Sequence, residues 1–223
     1  MQQGWKKISP KLADSKLHGV ASHAELFIVE GDSAAKAVTA VRNPEYQAVL
    51  PMQGKPINAS KASRRAILEY ELFVAVFEAL GLYPNQAIDV SNCRFSKVIL
   101  LFDPDADGIH CGALMLIFFH RVLLPLLKSG RLCLARAPLY ELKIKTTPQA
   151  KPETRYAYSQ DEALKLIRDL ELLDIPVQRT HYRGLAGMRD ATLAKTCINP
   201  SSRTIHRVRP EDAEAALAVF GKS

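Results

Sequence analysis

The run Val98-Ile99-Leu100-Leu101-Phe102 leads straight into Asp103, Asp105 and Asp107, three acids each separated by one residue. A short, continuous apolar run of this kind is expected to be a buried strand. If the chain stays extended beyond it, alternate residues point the same way. The three carboxylates then converge at the carboxyl end of the strand. Like charges held that close repel unless a cation neutralises them or protons are retained. A cluster of oxygen ligands alone favours a hard ion such as Mg²⁺. Taken by itself, D-P-D-A-D-G leaves a second reading open, a solvated acidic turn at the end of a strand.

A second strand end carries another acid. Glu25–Val29 is short, apolar and β-branched, and Glu30-Gly31-Asp32-Ser33 follows at once. Asp32 or Ser33 is expected to N-cap a helix over Ala34–Val41. Gln47–Leu50 reads as a strand and Pro51–Asn58 as a loop carrying Gly54 and Lys55. Apolar residues at three- and four-residue spacing predict a helix over Lys61–Leu80. Tyr83–Ser96 is turn-rich. After Gly108 an apolar helix is expected to run to about Lys128, closed by Ser129-Gly130. Further strands are expected at Arg131–Ala135, Leu139–Lys145, Arg155–Tyr158, Val177–Tyr182 and Thr204–Arg209. Helices are expected after Ser159, over Asp190–Cys197 and over Pro210–Phe220. Strands alternating with helices imply an α/β fold with a largely parallel sheet. In such sheets ligands gather at the carboxyl ends of the strands, where Glu30 and the three aspartates fall.

The formal net charge is +7, from 30 Lys and Arg against 23 Asp and Glu. A basic chain with an acidic cluster suits a polyanion partner, held by the basic surface while the acids bind metal. Cys93, Cys111, Cys133 and Cys197 are scattered and form no C-x-x-C pair, which argues against zinc. Reduced thiols point to the cytoplasm. Met1–Lys7 is polar and does not look like a signal peptide. The apolar stretch Ala113–Phe119 meets His120 and Arg121 too early to cross a membrane, so no membrane association is expected.

Known acidic loops narrow the choice. An EF-hand needs a bidentate acid at its twelfth position; counted from Asp103, that position is Leu114. The phosphohexomutase metal loop continues with Arg where Gly108 stands. A haloacid-dehalogenase phosphatase needs Thr or Val where Asp107 stands. In contrast, Leu26–Ala34 (L-F-I-V-E-G-D-S-A) and Val98–His110 together resemble the two halves of a Toprim site. The chain more specifically resembles the B subunit of bacterial type II DNA topoisomerases, DNA gyrase and topoisomerase IV. That family carries E-G-D-S-A, P-L-x-G-K-x-x-N, D-A-D-x-D-G-x-H, A-x-P-P-L-Y and R-Y-K-G-L-G-E-M in order. Here these blocks read Glu30–Ala34, Pro51–Asn58, Asp103–His110, Ala135–Tyr140 and His181–Met188. Pro10–Asp14 looks like the family's lead-in.

The resemblance implies a Rossmann-like Toprim fold, a mostly parallel sheet flanked by helices, over residues 25–145. A leader arm (1–24) would precede it and a C-terminal α/β extension (146–223) would follow. Glu30, Asp103, Asp105 and Asp107 would hold Mg²⁺, with Glu30 also serving as general acid or base. Glu30, Asp103 and Lys55 would be the catalytic residues, with Lys55 facing a DNA phosphate. Asn58, His110, Tyr182 and Arg183 would lie on the DNA side. The implied activity is cleavage and religation of double-stranded DNA, in the cytoplasm at the nucleoid. A type II topoisomerase A-type subunit would supply the tyrosine. Nothing in the chain resembles that family's ATPase and transducer domains, so activity alone is expected to be incomplete. The alternatives are a non-catalytic module that binds DNA or an A-type subunit, and a Toprim nuclease or primase-like enzyme. Departures from the family pattern include Pro104 for Ala, Ile109 for Ser, Ala35 for Gly, and Ala186-Gly187 for Gly-Glu. Proline fixes φ and removes an amide donor, so the metal loop is expected to differ in detail.

Overall fold

A computed structural model of the protein describes residues 11–83, 86–146 and 149–221. The start of the leader arm, Pro84-Asn85 of the turn-rich stretch and part of the loop after Lys145 lie outside the described residues. The first half of the chain alternates strand and helix. Its elements are β1 (Glu25–Glu30), α1 (Gly31–Val41), β2 (Gln47–Met52), α2 (Arg64–Glu69), α3 (Glu71–Leu80) and β3 (Lys97–Phe102). Then come α4 (Ala106–Val122), α5 (Leu124–Lys128) and β4 (Leu132–Arg136). The second half holds β5 (Tyr140–Ile144), β6 (Glu153–Ala157), α6 (Gln160–Glu171), β7 (Val177–His181), α7 (Asp190–Leu193), β8 (Ile205–Arg207) and α8 (Pro210–Phe220).

The main sheet has the order β2-β1-β3-β4-β8, parallel except for β8, which runs antiparallel to β4. A parallel strand covered on both faces reads as a continuous apolar run. Leu26 and Ile28 with Val98, Leu100 and Phe102 face one layer, built from α3, α4, α5 and α8. Phe27 and Val29 with Ile99 and Leu101 face the other, which includes α1, α7 and Leu185. The chain leaves β1 toward β2 on one side but leaves β3 toward β4 on the other. This reversal opens a crevice at the carboxyl ends of β1 and β3, the switch point where such sheets bind ligands.

Several boundaries differ from the periodicity. The helix expected over Lys61–Leu80 breaks at Tyr70, whose extended backbone separates α2 from α3. The long apolar helix breaks at Leu123, just ahead of Pro125 in the first turn of α5. The strand β2 continues through Pro51-Met52, which the sequence pattern assigns to a loop. It is an edge strand, and Val49 exchanges two 2.9 Å backbone hydrogen bonds with Ala13 of the arm on its outer side. Pro51, two residues on, has no N–H to leave exposed on that side. The helix over Asp190–Cys197 becomes a short α-turn followed by a π-turn, Ala194–Ile198.

A small antiparallel sheet, β6-β5-β7, carries α6. The chain then returns to the main sheet. Tyr182, Leu185, Met188, Leu193, Cys197 and Ile198 pack on its second face, β8 joins its edge and α8 packs along α4.

Candidate metal centre

Glu30 is the last residue of β1, and Asp103 is the first residue beyond β3. These strands are neighbours in the register Val29↔Leu101, so the two acids leave the sheet side by side at the switch point. Beyond Asp103 the chain does not stay extended. Asp105 N-caps α4, its carboxylate accepting the Gly108 amide at 2.8 Å. Asp107 therefore lies in the first helical turn, exposed, with its Oδ1 3.1 Å from Lys55 Nζ. Asp103 Oδ1 accepts the amide N–H of Leu185 at 2.8 Å. This corrects the expectation that alternation alone aligns the three carboxylates. Each is turned to a different partner, and among the described residues no three acidic, His or Cys side chains are gathered closely enough to hold a metal as they stand.

The physical reason is the cap: a helix start needs an acceptor for its free amides, and Asp105 supplies it. Gly108 permits the tight entry. A Cβ there would lie 2.1 Å from the Asp103 carbonyl oxygen.

Glu30 is the least satisfied group in the site. Its Oε1 receives only the Cys111 thiol at 3.8 Å, and its Oε2 is buried without a hydrogen-bond partner. Burial, then the charges of Asp103 and Asp105, raise the Glu30 carboxyl above its ordinary value. Burial raises Asp103 as well, against the opposing Leu185 hydrogen bond. The Cys111 thiol is pushed up to about 11 by burial and by Glu30. A buried carboxylate oxygen without a donor, faced by further carboxylates, lacks positive charge. The oxygen donors suit a hard divalent cation, and the residues fit Mg²⁺ on that ground.

The other expected residues divide into two groups. Lys55 reaches the acids, and the Tyr70 hydroxyl donates to its carbonyl at 3.0 Å, tying the Lys55 loop to the start of α3. Arg183 is exposed beside the site-facing turn. Asn58 and His110 instead meet the end of α8. Asn58 Nδ2 donates to the Phe220 carbonyl at 2.8 Å, and the His110 ring stacks on Phe220 at 4.9 Å. Tyr182 is 3% exposed and donates its hydroxyl to Glu141 at 2.7 Å, so its side chain is a packing element and does not reach a DNA surface. Sequence pattern does not single out Cys111, Glu141, Gly184 or the Leu185 amide. The G-L pair in the His181–Met188 block is the available signal for the last two.

An open parallel sheet with carboxylates at its switch point defines an α/β domain built around an acidic centre. Residues 25–136 match the Toprim domain model, and the chain belongs to the Toprim domain family. It is 39% identical over 211 residues to the B subunit of DNA gyrase from Thermotoga maritima, covering 94% of this chain and 32% of that relative. It is 38% identical over 211 residues to the gyrase B subunit of Archaeoglobus fulgidus, with the same coverage. The gyrase B subunit of Thermus thermophilus is 35% identical over 216 residues, covering 95% and 33%. The chain thus spans about a third of the length of these relatives.

Proposed function

We propose that this chain is the Mg²⁺-binding Toprim component of a type II DNA topoisomerase. It assists cleavage and religation of double-stranded DNA with an A-type subunit that supplies the tyrosine. The observation that carries this reading is the buried, partnerless Glu30 Oε2 set beside Asp103 at the switch point. Glu30, Asp103, Asp105 and Asp107 are the residues that would hold the ion. When bound, Mg²⁺ supplies charge stabilisation at the scissile phosphate. Glu30, whose carboxyl is raised by burial and neighbouring acids, is suited to carry the proton exchanged at the sugar oxygen that leaves and returns. Lys55 and Arg183 supply cationic contacts to phosphate, which position DNA without reading its sequence. The net charge of +7 supports a polyanion partner. No helix among the described residues is long and apolar enough to cross a membrane. The reading places the chain's action at the nucleoid, in the cytoplasm.

The test combines the chain with a candidate A-type subunit, DNA and Mg²⁺, and scores covalent tyrosyl–DNA complexes. Metal-dependent complexes that vanish with Asp105→Ala are expected. Cleavage that persists in that variant overturns the metal assignment. Intact DNA binding with no Mg²⁺-dependent heat would instead mark a non-catalytic module.

A further inference from the structure

The His181–Met188 turn comes from the far sheet yet ends on Asp103. From this geometry we infer that the turn is a strap orienting the Asp103 carboxylate, and that Glu141 is the positioning residue that anchors it. The inference rests on the Mg²⁺ reading for its functional meaning, but not for its geometry.

The strap touches Asp103 at two adjacent residues. The Leu185 amide donates to Oδ1 at 2.8 Å. Gly184 lies flat against the same carboxylate, where a Cβ would fall 2.6 Å from Oδ2 and 3.2 Å from Oδ1. The Gly184 backbone is extended, at φ −168° and ψ 168°, a conformation open to any residue. The Asp103 carboxylate, not the backbone angle, is what an added Cβ here would displace. The strap therefore meets both carboxylate oxygens, bonding Oδ1 through one amide and abutting Oδ2 with the Gly184 backbone.

The strap is itself held on both sides by one buried acid. Glu141 stands on β5 and is 1% exposed. It accepts the Tyr182 hydroxyl at 2.7 Å and the Thr192 hydroxyl at 2.9 Å, and it pairs with the Arg189 guanidinium. Tyr182 precedes the two contact residues and Arg189 follows them. Between the two, Leu185 is fully buried and the turn packs against α1, the helix that starts just after Glu30. The buried carboxylate on the small sheet thereby holds the loop that holds Asp103. Residues of this kind, which orient a metal-binding carboxylate without touching the ion, commonly change metal affinity by about 10- to 100-fold when altered.

The test compares Gly184→Ala, Glu141→Gln, Glu141→Ala and Tyr182→Phe in the full chain. Amide NMR of Leu185 and the carboxyl ¹³C resonance of Asp103 report position without metal, and calorimetry reports Mg²⁺ affinity. Gly184→Ala is expected to shift both resonances and to weaken Mg²⁺ binding at least about tenfold, while the thermal transition stays cooperative. Tyr182→Phe and Glu141→Gln are expected to act in the same direction but less strongly. Gln still accepts from Tyr182 and Thr192, so Glu141→Gln should retain more than Glu141→Ala. Unchanged Leu185 and Asp103 resonances in Gly184→Ala and Glu141→Gln would overturn the strap. Resonances that move while the wild-type chain gives no Mg²⁺ heat would uphold the strap and refute the metal reading.

Discussion

Two glutamates stand at opposite ends of β1, and their surroundings could hardly differ more. Glu25, at the amino end, is 2% exposed, yet its charge is fully answered. It pairs with Arg203, equally buried, accepts from Gln47 at 3.0 Å and has Lys97 at 3.7 Å. Glu30, at the carboxyl end, has one thiol, one orphan oxygen and three neighbouring aspartates. The amino end of the sheet is closed by its own residues. The carboxyl end is left with uncompensated negative charge, the condition expected of a site completed by a cation.

The sharpest break in this comparison is Arg203→Ala. It strands a buried carboxylate, a loss worth about 3–5 kcal/mol in comparable buried pairs. Chemical denaturation should register it, and a near-neutral result would refute the claim that the amino end is self-satisfied. Next in size is the effect of the ion. Mg²⁺ at a hundredfold excess over its Kd should stabilise the wild type by about 2.7 kcal/mol. Glu30→Gln should abolish that gain, while leaving metal-free stability unchanged or slightly higher because a repelled charge is gone.

The pH dependence follows from the same contrast. Glu30 and Asp103 have raised carboxyls, so the folded state holds their protons more tightly than the unfolded state. Their contribution to stability is fully present below the ordinary carboxylate range and is lost as pH rises through their raised values. Mg²⁺ competes for the same oxygens, so its stabilising effect should fade as pH falls through that window. Asp14 in the arm has the opposite sign. Burial alone would raise it, but hydrogen bonds from His18 and Arg94 and the Arg94 charge hold it below its usual value. Its contribution is lost on acidification as pH falls through that lowered value. Asp14→Asn should therefore flatten the acid limb of unfolding without moving the Mg²⁺ effect, which thermal scans over pH can check.

The smallest effect on stability is expected at Lys55. Its pair with Asp107 is exposed on both sides, 45% and 79%, so Lys55→Ala should cost no more than about 1 kcal/mol. DNA affinity should nonetheless fall, and the salt dependence of binding should lose about one unit of slope if Lys55 meets a phosphate. An unchanged slope would confine Lys55 to neutralising the acids.

Much of this is legible in the residues. The four parallel strands, β1 to β4, begin near their expected places, because buried parallel strands are apolar without interruption. Glu30 and the aspartates stand out because acids directly follow those runs. The breaks at Tyr70 and Leu123 are harder to see, since the apolar spacing continues across both. The burial of Tyr182 is not legible at all. In Y-R-G-L-A-G-M it neighbours charge and glycine, and its hydroxyl partner lies on β5, outside its own stretch of chain. Asn58 and His110 are similarly opaque, because the residue they share, Phe220, closes the last helix.

The sequence by itself determined, to within about a residue, where β1 and β3 end and which chemistry stands at those ends, since apolar periodicity and residue type are local properties. Strand order was decided only in three dimensions. Packing helices on both faces placed β1 beside β3, and that choice made neighbours of Glu30 and Asp103. Tertiary structure also decided where each acid points. Asp105 answers a helix start, Asp107 answers Lys55, and Asp103 answers an amide delivered from the far sheet. A carboxylate's direction depends on the nearest unpaired donor, and in a folded chain that donor is seldom nearby in sequence.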